Sequence, residues 1–284
     1  LTTTYGADYT TSPAAVGSVI TIPFAANAAS VSLDVSVNDD AIQEAFETVQ
    51  FEITGVPAGF AINTEPQRTL TIADNDTPPT VLEPGDIVVL GFATTLTDCS
   101  LGSDDEISFI CFKDITTGTT INITDCEYGC STDPAGTWKT NEGYVSMLRT
   151  GGTIAAGTVI TFRVASGFGA LPIFQAPDNL WTSTNLNNSS TFNLSNSGDQ
   201  MFFMQGGTWN IASGTATYNG RVLFGLSFKV SPSWQSACTS TSSSLPPGME
   251  CFSMALTQSS NIYKYTGPIS SASQRDWILR VENL

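Results

Sequence analysis

Apolar and polar side chains alternate in three short runs within the first 76 residues. In Val31-Ser-Leu-Asp-Val-Ser-Val37 the period is strictly two, which predicts a strand with Val31, Leu33, Val35 and Val37 turned toward a core. Val49, Phe51 and Ile53 repeat the pattern and Leu70 and Ile72 carry a shorter version, so antiparallel neighbours are expected. From residue 84 the apolar runs are denser. Residues 85–92, 107–112, 120–124, 144–148, 158–164, 200–204 and 222–228 are the strand candidates there, several separated by Gly-containing turns such as Thr117-Gly118 and Ala156-Gly157. The Asn/Ser-rich stretch 187–197 reads as a surface loop. One helix is expected near the end, with Ser273 as N-cap, Asp276 three residues on, and Trp277, Ile278 and Val281 on one face.

These patterns predict an all-β protein with two β-sandwich-like domains in tandem and one short C-terminal helix. The first domain is placed at 1–76, a Pro-containing linker at 77–83, and the second domain at 84–284. A length of 284 residues and a hydrophobic fraction of 41% suffice for two cores. The net charge of −16 sets the chain against nucleic acid and anionic membranes as partners. Direct membrane insertion is not expected either, because no stretch reaches the roughly 18 apolar residues of a span.

The acids of residues 1–76 fall where strands should end. Asp8 sits in Gly-Ala-Asp-Tyr, Asp39 and Asp40 close the alternating run, Glu44 and Glu47 come next, and Asp74 and Asp76 end the segment as Asp-Asn-Asp. In a meander the ends of non-consecutive strands meet at one pole, which would gather these acids into one carboxylate cluster. Two carboxylates about 4 Å apart, at an effective dielectric near 20, repel by roughly 4 kcal/mol. Residues 1–76 contain only Arg68 against ten acids. A hard cation resolves the conflict, and Ca²⁺ accepts about six to eight oxygen ligands. The competing reading is that these acids are solvated turn residues, since Asp and Asn favour turns for local reasons.

Together, Gly6-Ala-Asp-Tyr9, the 38–47 stretch Asn-Asp-Asp-Ala-Ile-Gln-Glu-Ala-Phe-Glu and Thr71-Ile-Ala-Asp-Asn-Asp76 resemble the Calx-beta domain, a calcium-binding β-sandwich of sodium–calcium exchangers, integrin β4 and large bacterial surface proteins. The resemblance implies Asp8, Asp39, Asp40, Glu44, Glu47, Asp74 and Asp76 as calcium ligands. The family's opening strands, with an early metal-binding Glu, would lie before Leu1, so the chain is expected to start inside a domain. Within 84–284, the segments 84–92, 106–111, 115–125, 142–143, 155–159, 197–200 and Leu245-Pro-Pro-Gly248 are similar in order to a lamin-tail-like β-rich module of secreted surface proteins from Bacteroidota-type bacteria. No catalytic residues come with that likeness. Such a module continues past its helix, so Leu284 is expected to be a second internal cut.

All six cysteines, Cys99, Cys111, Cys126, Cys130, Cys238 and Cys251, lie beyond residue 98. An even number in a His-free, Ser/Thr/Asn-rich chain points to disulfides and an extracellular or cell-surface location. Sequential pairing (Cys99–Cys111, Cys126–Cys130, Cys238–Cys251) is one of the connectivities open, and free buried thiols are the alternative. Absence of His removes Ser-His-Asp and Cys-His triads and His-ligated zinc. Asp104-Asp105-Glu106 could supply a glycosidase carboxylate pair, but three acids before a strand fit a solvated turn or a minor cation site better, and Asp114, Asp125 and Asp133 share the turn reading. No enzyme is expected. Trp138 and Trp277 are read as core, while Trp181 and Trp209 stand among polar residues and remain candidates for sugar stacking.

The function these features predict is a structural or adhesive segment of a large calcium-stabilised extracellular surface protein. Its partners would be neighbouring modules of the same protein or identical subunits, with strand donation completing the first sandwich in a filament. The alternative is a carbohydrate- or surface-binding module attached to a secreted hydrolase, for which surface glycans would be the partners.

Overall fold

A computed structural model describes residues 3–40, 43–96, 104–165, 170–187, 191–229, 234–256 and 262–265. Among these the protein is all-β, without a helix. The expected C-terminal helix, with Trp277, lies outside the described residues, as does Cys99. The chain divides into two compact units, 1–78 and 79–284.

The first unit has two antiparallel pairs. β1 (Tyr9–Ser12) pairs with β2 (Asp34–Val37), and β3 (Glu47–Glu52) pairs with β4 (Gln67–Ile72). The pairing of the second and third alternating runs is as expected, with Val49 opposite Leu70. Tyr9 and Phe51 meet edge to face at 6.1 Å and join the two pairs. The first run departs from expectation. Leu33 and Val35 are half-buried, while Val31 and Val37 are 45% and 52% exposed. Alternation set which side these residues share, but no layer covers that side in full. Val49 is the only buried apolar side chain among the described residues of this unit.

The second unit is a sandwich. Its strands are β5 (Ile87–Leu96), β6 (Asp104–Cys111), β7 (Thr120–Thr124), β8 (Trp138–Lys139), β9 (Tyr144–Arg149), β10 (Val159–Val164) and β11 (Ile173–Ala176). They continue with β12 (Trp181–Asn185), β13 (Gln200–Gln205), β14 (Trp209–Ala212), β15 (Thr215–Tyr218), β16 (Arg221–Ser227), β17 (Ser253–Ala255) and β18 (Ile262–Lys264). One sheet has the order β11-β10-β6-β5-β18 and the other β12-β9-β7-β13-β16-β17. Ile87, Val89, Ile107, Phe109, Ile160 and Phe162 of the first sheet share a core with Ile121, Ile123, Val145, Met147, Met201 and Phe203 of the second. Phe109 touches Phe203 across it with ring centroids 5.1 Å apart. All seven strand candidates of this region are strands.

A small third sheet, β14-β15-β8, covers the other face of β13. Met201 and Phe203 therefore enter the main core, while Phe202 and Met204 pack with Trp138, Tyr144 and Ala216 in a second one. This double cover explains the unbroken apolar run of β13, since a strand buried on both faces has no reason to alternate.

The linker is shorter than expected. Leu82 is fully buried, its N–H donates to Gln205 Oε1 at 2.6 Å, and Gln205 Nε2 donates to Thr80 O at 2.9 Å. Residues 80–83 thus belong to the second unit, because an apolar side chain and its backbone found partners there. The 187–197 stretch is not a plain surface loop either. Asn187, Phe192 and Leu194 are buried, the latter two as plugs of the main core.

Candidate metal centre

The strand ends of the first unit converge. Gly6, at a φ of 89° that favours glycine, turns the chain so that its N–H donates to Tyr9 O at 2.8 Å, and Asp8 then stands at the head of β1. Asn38 N–H donates to Asp8 O at 2.9 Å, which extends the β1–β2 ladder by one step and sets Asp39 and Asp40 beside Asp8. On the other pair, Glu47 opens β3 opposite Ile72, the last residue of β4, so Asp74 and Asp76 leave β4 next to Glu47. Glu44 N–H donates to Asp74 Oδ2 at 2.8 Å and Asp76 N–H to Asp74 Oδ1 at 3.1 Å.

All seven acids expected as ligands line one pocket: Asp8, Asp39, Asp40, Glu44, Glu47, Asp74 and Asp76. One carboxylate oxygen from each of Asp8, Glu44 and Glu47 lies within 4.8 Å of the others. That spacing is about twice a Ca–O bond of about 2.4 Å, so these three can share one ion; the oxygen-only donor set suits a hard cation. Among the described residues no Lys or Arg lines the pocket, and Arg68 is engaged with Glu65 in an exposed pair at 3.4 Å.

The electrostatics arise from this crowding. Partial loss of hydration, and then the charges of Asp40, Asp8, Asp74 and Asp76, push the Glu44 carboxyl above its ordinary pKa. Glu47 is raised by shielding and then by Asp8, and Asp76 by shielding and then by Asp74, Asp39 and Asp40. Asp74 goes the other way, because the N–H groups of Glu44 and Asp76 stabilise its charge. Asn38 is a member of the site that strand-end acids alone do not reveal. It lines the pocket and donates from Nδ2 to Ala7 O at 2.7 Å, and its place before Asp39 is the available signal.

The other candidates resolve differently. Cys130 is bonded to Cys238, with a Cα–Cα distance of 5.3 Å across a sequence separation of 108. The sequential pairing is thereby corrected at Cys126–Cys130 and Cys238–Cys251: proximity in sequence did not bring those pairs together, whereas the fold brings Cys130 to Cys238. Cys111 and Cys126 are buried free thiols and Cys251 is an exposed one. Asp104-Asp105-Glu106 is no solvated turn, because it opens β6. Asp105 is buried and accepts Leu194 N–H at 2.7 Å, and Glu106 pairs with Arg163 at 2.7 Å. Asp114 accepts Ala156 N–H at 2.8 Å and Asp133 pairs with Lys139, also at 2.8 Å. Asp125 is fully buried.

Trp138 is core, as expected. Trp181 is buried and stacks on Phe174 at 4.4 Å and 8°, and Trp209 lies half-buried against Tyr144 at 4.3 Å and 15°. Both rings thus stack on aromatic neighbours within the protein, Trp181 from a buried position and Trp209 from a half-buried one. No protein-family model matches the chain, and no curated protein or solved structure matches it. Among the described residues no helix is long and apolar enough to cross a membrane.

Proposed function

We propose that the chain is a structural or adhesive segment of an extracellular surface protein, in which Ca²⁺ bound by Asp8, Asp39, Asp40, Glu44, Glu47, Asp74 and Asp76 stiffens a Calx-beta-like unit. The observation that carries this reading is the convergence of those acids, from turns far apart in sequence, on one pocket without a basic side chain. Strand pairing brings these turns to one pole, and a bound cation would relieve the mutual repulsion that results. The Cys130–Cys238 disulfide supports an oxidising location.

A second part of the reading is that another polypeptide segment, from a neighbouring module or an identical subunit, completes the first unit by strand addition. Phe46, Phe60, Val16 and Ile53 are 74%, 67%, 84% and 55% exposed there. Strands with unpaired edges and uncovered apolar side chains take up further strands.

Thermal melting in calcium and in chelator tests the calcium reading. A ligand that binds only the folded state at 100 times its Kd adds about 2.7 kcal/mol. Calcium is therefore expected to raise the melting temperature of the first unit, and Asp39→Ala with Asp40→Ala to abolish most of that rise. Magnesium should substitute poorly, because it holds its waters in a rigid octahedral shell. Equal melting in all conditions would return these acids to the status of surface turns.

A further inference from the structure

The second unit carries an acidic cluster of its own, built by strand register. β9 and β13 flank β7, with Thr124 opposite both Tyr144 and Phe202. One end of these three strands therefore gathers Asp125 and Glu127 just past β7, Glu142 just ahead of β9, and Asp199 just ahead of β13. Asp125, Glu127 and Asp199 are buried and Glu142 is half-buried. Asp125 accepts N–H bonds from Gly143 and Asn193, each at 2.7 Å, and Asp199 accepts them from Ser195 at 2.7 Å and Gln200 at 2.8 Å. Those donors are neutral. None of the four acids forms an ion pair among the described residues, and Lys139, which neighbours Glu127, is taken by Asp133.

An independent feature points to what is needed there. Gln200, 1% exposed, sends its amide into the cluster: Nε2 donates to the main-chain oxygen of Asp125 and, at 3.4 Å, to Glu142 Oε2. Among the described residues its buried Oε1 accepts no hydrogen bond, and Glu127 Oε2 is in the same condition. A buried oxygen without a donor is satisfied by a proton-bearing group or by a cation, and among four acids that form no ion pair the excess of negative charge favours the cation.

We propose that this end of the sheet is a second cation site, in which Gln200 Oε1, Glu127 and Glu142 ligate a hard divalent ion and Asp125 and Asp199 supply the charge behind them. The donors are all oxygens, which selects Ca²⁺ over zinc, and Cys126 beside them directs its thiol to Gly143 O at 3.6 Å. Among the described residues only the N-terminal trio has three carboxylate oxygens within 4.8 Å. Binding here therefore draws in the long side chains of Glu127, Glu142 and Gln200, while Asp125 and Asp199 stay fixed by their backbone donors.

The test uses the full chain carrying Asp8→Ala, Glu44→Ala and Glu47→Ala, which removes the three acids able to share an ion in the first unit, stripped of metal and titrated with CaCl₂ in a calorimeter. We expect one calcium to bind this variant, and the further change Glu142→Gln to weaken binding at least tenfold. A flat isotherm in the triple variant overturns the proposal, and so does Glu142→Gln binding as tightly as its parent. Failure of the N-terminal reading looks different, as equal stoichiometry in the wild type and the triple variant. Should near-UV circular dichroism show Glu142→Gln unfolded, Gln200→Met in the same background replaces it. Its calcium-induced rise in melting temperature is expected to shrink, and an undiminished rise rejects Gln200 as a ligand.

Discussion

Arg149 is a cation held almost out of water, its side chain 3% exposed. Nη1 and Nη2 grip both oxygens of Asp178, Nε and Nη2 donate to Gly152 O at 2.9 and 2.7 Å, and Nη1 donates to Leu180 O at 3.1 Å. The guanidinium also lies 5.6 Å from the centre of the Trp181 ring. A two-point pair of this kind is stronger than a single charged contact. Removing its anion by Asp178→Asn leaves a buried charge without a counter-ion. The expected loss is about 3 kcal/mol, the lower end for broken buried pairs because Asp178 keeps 34% of its side chain in water. The pair also sets a pH limb. Hydrogen bonding from Arg149 lowers the folded-state pKa of Asp178 below its ordinary value. The stabilisation is thus complete above the unfolded value of about 3.9 and is lost as pH falls through the lower folded one. Urea midpoints from pH 6 down to about 2 should show that acid limb in the wild type and a shallower one in Asp178→Asn, while identical slopes would remove Asp178 from the account. In the sequence Arg149 is merely the residue after a strand candidate. Its partners sit in a turn and on an edge strand that no local pattern marks.

In the first unit β2, β3 and β4 are legible from alternation, and in the second the legible strands are those with apolar runs dense enough to need no partner for recognition: β5, β6, β7, β9, β10, β13 and β16. β11, β12, β14 and β15 were missed, because Trp181-Thr-Ser-Thr-Asn185 or Thr215-Ala-Thr-Tyr218 carries few apolar residues and becomes a strand through the neighbour it pairs with. The acidic pocket was legible because its residues sit at strand ends, where alternation stops. The buried acids Asp125 and Asp199 were not, since their burial depends on segments closing over them from elsewhere. Cysteine pairing fell on the same side of that line, and it is testable at this scale. Burial pushes the Cys111 thiol up to about 11 and Cys126 well above its ordinary value, which suppresses the reactive thiolate. Iodoacetamide applied to the native, unreduced protein should therefore label Cys251 and spare Cys111 and Cys126 until denaturant is added, as read by peptide mass mapping. Cys130 and Cys238 peptides should stay linked until reduction. Replacing that pair by Ser is expected to lower stability by about 2–4 kcal/mol, given the long loop it closes. Native labelling of Cys126 alongside Cys130 would refute this connectivity.

At the scale of the whole molecule the two units differ in what holds them. The second unit encloses one large core and a smaller one beneath its third sheet. The first has Val49 as its only buried apolar side chain among the described residues, two short strand pairs, and a pole of seven acids. Burial supplies about 25 cal/mol per Å² of apolar surface, so the first unit has little with which to offset both chain entropy and carboxylate repulsion. A single melting transition is not expected from such a chain. Hydrogen exchange measured by mass spectrometry separates the contributions. In chelator, amides of β6, β7 and β13 should exchange slowest, since both faces of β13 are covered and β6 and β7 line the core. Amides of β1 to β4 should exchange at least tenfold faster. Calcium should slow that fast class at β1–β4, because binding to the folded form alone lowers the open population in proportion to ligand excess over Kd. A strand taken up from another subunit would slow the same amides further as protein concentration rises, whereas completion by a neighbouring module of the same chain would leave them independent of concentration. Equal protection of both units in chelator would contradict the unequal cores on which this expectation rests.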